Sequence, residues 1–210
     1  MPTWEIENKF SALVCGIDEA GRGPWVGPVV AAAVMFLNRN VNPQILQQID
    51  DSKKLSAKKR EYLYTLLQAE AEAGNLTYGI AEASATEIDE LNILQATFLA
   101  MKRAVKKLNP QPEHALIDGN RLPAEFSCPT SCHISGDSLS YSIAAASILA
   151  KVYRDILLKN LALKYPQYGF EKNAGYGTKE HIEALQKFGI TPEHRKSYKP
   201  IKELLSEIRK

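Results

Sequence analysis

Four carboxylates fall where apolar strands should end. Asp18 closes the run ALVCGID over residues 12–18 and Glu19 follows it, Asp118 closes HALID over 114–118, and Asp137 comes just after CHIS over 132–135. The ends of strands in one sheet can converge, and carboxylates gathered inside a protein repel one another and take up protons unless a cation neutralises them. Oxygen ligands alone, with no histidine among them, favour Mg²⁺ or Mn²⁺ over zinc. Each carboxylate singly has a plainer reading as a turn former or cap. Four of them at strand ends form a pattern that turn chemistry alone does not produce.

Phosphate chemistry lies close by in the chain. Gly21-Arg22-Gly23 directly follows the acidic pair, and glycines there let backbone N–H groups approach a ligand that side chains would exclude; a tight turn is the simpler reading. Asp51-Ser52-Lys53-Lys54-Leu55 offers a hydroxyl and two ammonium groups just before a helix, which suits a phosphate as well as it suits a solvated cap. Gly175-Tyr176-Gly177-Thr178 sets an aromatic ring between glycines, where it can stack on a sugar or base. The run from His194 to Lys199, with Tyr198 inside it, reads by itself as a solvated basic surface.

Other clusters carry less. Cys128, Cys132 and His133 have a C-x₃-C spacing but no evident fourth ligand for zinc, and Cys15 sits inside an apolar strand as a small core residue. Asp89 and Glu90 read as surface acids compensating a helix dipole, and the run from Ser142 to Ser147 lacks the strand and elbow glycines of a serine hydrolase.

The elements that must position these residues can be read from periodicity. Residues 12–18 and 28–37 are strands around the glycine-rich loop. A helix over 56–73 opens on the N-cap Ser56, carries Tyr62, Leu63, Leu66 and Leu67 at helical spacing, and stops at Gly74. A strand over 76–82 follows, then Ser84 and Glu87 form a capping box that opens one helix running to about Leu108. Short strands are expected over 114–118 and 132–135, and a long helix over 142–165, apolar nearly all round its first three turns, must lie against the sheet. Shorter helices are expected over 179–187 and 201–208. Strands interleaved with helices in this order argue for a mixed sheet flanked by helices.

With 210 residues, 45% apolar and 24% charged, the chain can bury a full core as one domain, which excludes a fibre, a disordered tail and a disulfide miniprotein. Three cysteines are an odd number and read as reduced thiols. No window approaches the ~20 consecutive apolar residues of a bilayer span, and the first residues lack the pattern of a signal peptide, so the expected location is the cytoplasm. The net charge of +2 hides an asymmetry: residues 1–150 hold 13 basic against 17 acidic residues, whereas residues 151–210 hold 13 against 7. A basic face beside an acidic site suits a polyanion whose backbone must be held.

Taken in order, these segments resemble ribonuclease HII, the type 2 ribonuclease H. The resemblance is carried by GIDEAGRGP (16–24), DSKKL (51–55), EIDELNI (87–93), LIDGN (116–120), Gly136-Asp137, AAASILAKV (144–152) with Arg154-Asp155, YPQYG (165–169), GYGTKEH (175–181) and His194-Arg195. It implies a ribonuclease H-like fold, a five-stranded mixed sheet with helices on both sides, in a single catalytic domain over 1–210 with a basic helical segment over 178–210 packed on it. Two Mg²⁺ or Mn²⁺ ions would be held by Asp18, Glu19, Asp118 and Asp137. Gly21, Arg22 and Gly23 match the loop that grips the ribose 2′-hydroxyl and adjoining phosphate, Ser52 and Lys53 match a phosphate-contacting pair, and Tyr176 matches the tyrosine at the ribose-to-deoxyribose junction. Many members carry His-Lys where this chain has Asn173-Ala174, and Lys172 is the candidate to fill part of that role. Arg22, and the short stretch before Asp18, favour ribonuclease HII over ribonuclease HIII, which uses Gly-Lys-Gly and adds an N-terminal domain. The implied activity is hydrolysis of RNA in RNA/DNA hybrids and cleavage 5′ of ribonucleotides embedded in duplex DNA, by a monomer without membrane attachment, leaving a 3′-hydroxyl and a 5′-phosphate. The alternative is a metal-free nucleic-acid-binding module that uses the basic C-terminal segment.

Overall fold

The structure, a computed structural model, describes residues 1–208; Arg209 and Lys210, the end of the basic segment expected over 178–210, lie outside the described residues. Five strands form one sheet: β1 (Val14–Ala20), β2 (Val29–Phe36), β3 (Leu76–Ala83), β4 (His114–Asp118) and β5 (Thr130–His133). Their order is β3-β2-β1-β4-β5, with β3, β2 and β1 antiparallel and β1, β4 and β5 parallel. The helices are α1 (Pro43–Leu46), α2 (Ala57–Glu72), α3 (Ala85–Leu91), α4 (Ile93–Val105), α5 (Tyr141–Lys164), α6 (Phe170–Asn173), α7 (Lys179–Phe188) and α8 (Lys199–Ile208). Among the described residues no helix is long and apolar enough to cross a membrane.

Alternation along β1 divides the core. Cys15 and Ile17 pack with Phe98, Ala100 and Met101 of α4 on one face. On the other, Gly16 lies under α5, so close that a Cβ there would stand 2.2 Å from the Ile143 nitrogen. Small residues on both partners permit this approach: Ala144, Ala145 and Ala146 of α5 pack with Val30, Ala32 and Val34 of β2. A third cluster joins Val26 to Leu158 of α5, Phe170 of α6, Leu185 of α7 and Ile201 of α8, so the C-terminal helices are anchored to the chain just after the glycine-rich loop.

Local capping decides the helix boundaries. Ser56 accepts the Lys59 N–H, and Ser84 with Glu87 forms the expected capping box. The single helix expected from Ser84 to Leu108 is instead two. Asn92 adopts φ 70° and its side chain accepts the N–H groups of Leu94 and Gln95, ending α3 and starting α4 in one residue. Asparagine can offer the backbone this alternative partner, which apolar periodicity does not register. The strand expected over 132–135 runs from Thr130 to His133, because pairing with β4 sets its register from Ala115↔Thr130 to Asp118↔His133. Ser135 then turns left-handed, and Asp137 stands on a 3₁₀ turn (Gly136–Ser138) rather than directly on a strand end.

The contact at Gly16 tests how tightly β1 is held. Gly16→Ala should cost about 3 kcal/mol, since backbone on both sides must move, and lower the melting temperature by roughly 6–12 °C in differential scanning calorimetry.

Candidate active site

Asp18 and Asp118 lie at the same end of adjacent parallel strands, in a register that runs Val14↔His114 to Ile17↔Ile117. Side-chain alternation puts both on the α5 face, below which Gly16 and Leu116 meet Ile143. Glu19, one residue on, faces α4 and lines a hollow of about 130 Å³ with Asp118, Asn120, Arg121 and Met101. Asp137 joins from the 3₁₀ turn, whose Gly136 N–H donates to Asp118 Oδ1 at 2.7 Å. The sequence-predicted carboxylates therefore share one end of the sheet. Among the described residues no three such side chains stand at the spacing of a closed metal cage; Glu19 is turned toward Arg22 at 3.2 Å.

The electrostatics are those of crowded, buried anions. Burial, then Glu19 and Asp118, lift the Asp18 carboxyl well above the usual carboxylate range. Burial also raises Glu19, an effect that Arg22 partly offsets. Asp137 is pushed up to about 6 by burial, Asp118 and Asp51. Burial works against the Lys53 ammonium, but Asp18, Asp51, Asp137 and Asp118 together hold its pKa above the ordinary lysine value. An all-oxygen set of this kind fits a hard divalent cation.

A cleft of about 380 Å³ opens beside Asp18 and is lined by Glu19, Gly21, Arg22, Gly23, Ser52, Lys53, Lys151, Arg154 and Tyr176. Its loop is built from beneath by two buried guanidiniums. Arg195 donates to the carbonyls of Gly21 (2.6 Å), Arg22 (3.0 Å) and Gly27 (2.9 Å). In a trans peptide the N–H opposes the C=O, so drawing the Gly21 and Arg22 carbonyls inward turns the N–H groups of Arg22 and Gly23 outward. Arg154 donates to Val26 and Pro28, and a Cβ on Gly21, where φ is +94°, would lie 1.9 Å from its Nε. The Tyr176 ring flanks the loop: a Cβ on Gly23 would be 3.5 Å from its Cε1.

On the opposite wall the Ser52 N–H donates to Ser147 Oγ of α5 at 3.1 Å, and Lys54 reaches both Asp50 and Ser138, tying this turn to the one that carries Asp137. Lys172 is exposed on α6 and is not among the residues lining the cleft. Cys15 is buried, Cys128 half-buried and Cys132 exposed, all as free thiols, and His133 is hydrogen-bonded to Ser131.

A family model described as ribonuclease HII matches residues 15–201. The chain belongs to the ribonuclease HII family. It is 51% identical over 201 residues to a ribonuclease HII of Paramagnetospirillum magneticum, covering 96% of this chain and 97% of the relative. Its structure is similar to the crystal structure of ribonuclease H2 from Pyrococcus horikoshii, with a TM-score of 0.75 and 25% identity over 94% of this chain and 99% of that one. A ribonuclease HIII, Bst-RNase HIII in complex with Mn²⁺, shares the fold at a TM-score of 0.67 and 16% identity, over 94% of this chain and 70% of that one. The five-stranded ribonuclease H-like fold expected from the sequence is the fold observed, and membership of the ribonuclease HII enzymes removes the alternative of a binding module without turnover.

Within this ribonuclease HII-type site several residues differ from what their neighbours in the sequence suggest. The run from His194 to Lys199 is solvated only in part: Lys196, Ser197 and Lys199 are exposed, but His194 and Arg195 are both fully buried. Asp89 is not a free surface acid: it accepts the N–H groups of Lys196 and Ser197 at 2.9 and 2.8 Å and so holds the segment that delivers Arg195. Arg154 and Arg195 were visible only as members of family motifs, since a basic residue flanked by polar ones carries no local mark of burial.

Two outcomes follow from this geometry. A carboxyl whose pKa is raised on folding favours the native state below its unfolded value of about 4, and that contribution is lost as pH rises through about 6. In chelator, Asp137→Asn should therefore melt roughly 2–6 °C above the parent protein at pH 7 and differ little at pH 4, which thermal melts at the two pH values will check. Arg195→Lys keeps the charge but cannot reach three carbonyls; a loop displaced by ~1 Å should lower kcat/KM roughly 10- to 100-fold in steady-state cleavage assays.

Proposed function

We propose that this enzyme is a metal-dependent endonuclease that hydrolyses RNA in RNA/DNA hybrids and cuts duplex DNA 5′ of an embedded ribonucleotide, leaving a 3′-hydroxyl and a 5′-phosphate. The observation that carries this reading is the meeting, in one cleft, of crowded buried carboxylates with a glycine loop whose N–H groups face outward. Asp18, Glu19, Asp118 and Asp137 would hold two Mg²⁺ or Mn²⁺ ions, whose chemistry there would be an activated water and charge relief at the leaving 3′-oxygen. Asp18 and Asp118, on adjacent strands, would be shared ligands, and Glu19 and Asp137 would each complete one side.

Specificity belongs to the loop. The 2′-hydroxyl is the group that separates RNA from DNA at a single position, and the N–H groups of Arg22 and Gly23 are donors for it and for the adjoining phosphate. Ser52 and Lys53 hold a phosphate on the opposite wall, and the half-exposed Tyr176 ring packs on the sugar at the ribose-to-deoxyribose junction. Lys172, turned to solvent on α6, is left with at most a remote contact to the duplex backbone. The enzyme acts as a monomer in the cytoplasm, where the chromosome of prokaryotes such as its relatives lies, and removes ribonucleotides from that DNA.

Asp118→Asn keeps shape and loses one ligand charge. It should reduce single-turnover cleavage of a labelled duplex carrying one ribonucleotide by at least about 1000-fold in Mg²⁺ or Mn²⁺ while leaving duplex binding unchanged; turnover at the parent rate in Mn²⁺ would contradict the ligand assignment.

A further inference from the structure

Two imidazoles lie behind the Tyr176 loop and have no part in the reaction described. His181, in the first turn of α7, and His194, beside Arg195, are both fully buried, with their Nε2 atoms 3.1 Å apart. Backbone groups at the far ends fix where the protons sit. The Thr191 N–H donates to His194 Nδ1 at 2.9 Å, so that nitrogen presents a lone pair and the neutral ring carries its proton on Nε2. This proton is donated to His181 Nε2, which leaves His181 with its own proton on Nδ1. There it meets the Tyr176 carbonyl at 2.9 Å. The series runs one way only, from Thr191 through His194 and His181 to Tyr176. Burial holds both rings below the ordinary histidine value, His194 down to about 4 with His181 beside it, which favours the neutral rings that the series requires.

The series matters because Tyr176 is 53% exposed and little packing holds its ring. Placement must come from the main chain. The Tyr176 N–H donates to the Asn173 carbonyl at 2.9 Å, the Gly175 N–H donates to Asn173 Oδ1 at 2.8 Å, and the Tyr176 carbonyl accepts from the Thr178 N–H at 2.9 Å and from His181. His181 is the link in this set that connects the loop to the segment bearing Arg195, and hence to the underside of the Gly21-Arg22-Gly23 loop. The two segments also meet directly, where the Trp25 N–H donates to the Gly175 carbonyl at 2.8 Å and Arg154 to the Ala174 carbonyl at 3.4 Å; the histidine series is the part of this linkage that ends on the Tyr176 carbonyl itself.

We propose that His181 and His194 are positioning residues that fix the Tyr176 ring against Gly23 through the Tyr176 carbonyl, and so set the preference for a single embedded ribonucleotide over a uniform hybrid. The inference rests on the reading that Tyr176 contacts the junction sugar.

The test compares kcat/KM on a duplex with one ribonucleotide against kcat/KM on a uniform RNA/DNA hybrid. The same carboxylates cut both, so a merely destabilising substitution lowers both and leaves the ratio alone. His181→Phe retains an aromatic ring among Trp25, Tyr168 and Phe170 but has no donor, and should lower the ratio roughly fivefold, the worth of about one hydrogen bond. His181→Asn places an amide N–H near the position of Nδ1 and should keep the ratio within about twofold of the parent. A His181→Phe ratio equal to the parent's, while Tyr176→Ala lowers it, overturns the positioning role and spares the reading of Tyr176. An unchanged ratio in Tyr176→Ala overturns that reading and the inference with it. Independently of any variant, imidazole ¹⁵N–¹H correlation spectra of the intact enzyme near pH 6.5 should give His181 as the Nδ1–H tautomer and His194 as the Nε2–H tautomer; reversed tautomers, or a doubly protonated ring, overturn the series.

Discussion

One buried cation sets the geometry on which the site depends. The Arg195 guanidinium is fully buried and spends its donors on carbonyl oxygens of a loop that lies 168 to 174 residues earlier in the chain. Burying a charge is costly unless its hydrogen-bonding capacity is met, and here the carbonyls of Gly21, Arg22 and Gly27, with the Tyr198 hydroxyl, meet it. The same bonds decide which way the loop's peptide planes face. A planar fork with several fixed donors can do this, whereas an ammonium cannot. The cation thus acts through the loop it organises, with its own charge kept out of the cleft.

The anionic half of the site is organised by a different tension. Asp18, Glu19 and Asp137 all resist ionisation because they are buried together, and the positive groups nearest them, Arg22 and Lys53, compensate only in part. Such an arrangement is poor for stability and good for holding a hard cation, the familiar trade between a strained site and a relaxed fold. The strain can be carried because β1 is clamped from both faces. Gly16 admits the α5 backbone on one side, and the α4 side chains close over Ile17 on the other.

How much of this was legible in the sequence depends on the range of the interactions involved. The strand end at Asp118, the cap at Ser56 and the capping box at Ser84 are local, and local chemistry can be read from neighbouring residues, whereas β1 runs past the expected end at Asp18 to Ala20 because β2 pairs with Glu19 and Ala20. The break at Asn92 is local too, but it competes with a strong apolar period that runs straight through it. Register is not local: β5 stops at His133 because β4 fixes its partner positions, which moves Asp137 from a strand end to a turn. Least legible were Arg195 and His194: the carbonyl of Gly21 lies 174 residues before Arg195, and His181, 13 residues before His194, meets it only through the fold of the chain between them. The likeness of the ordered motifs to ribonuclease HII supplied those positions without supplying their roles.

The loop and the tyrosine that flank the cleft come from opposite ends of the chain, and that separation has a mechanical consequence. A half-exposed ring and a three-residue turn have too little packing of their own to hold a mutual distance to within a few tenths of an ångström. Directional buried hydrogen bonds can hold it, because each fixes an angle as well as a separation. In this fold those bonds run through the third apolar cluster, where Val26, Phe170 and Leu185 exclude water around the two histidines and the loop's return path. In the proposed reading, catalysis and discrimination therefore have different physical supports. Asp18, Glu19 and Asp118 are carried by the sheet and Asp137 by the turn that follows β5, whereas in the proposed reading discrimination rests on a polar series beneath the C-terminal helices. Because the two supports share few residues, divergence in the C-terminal segment can alter substrate preference while the hydrolytic centre stays as the sheet sets it.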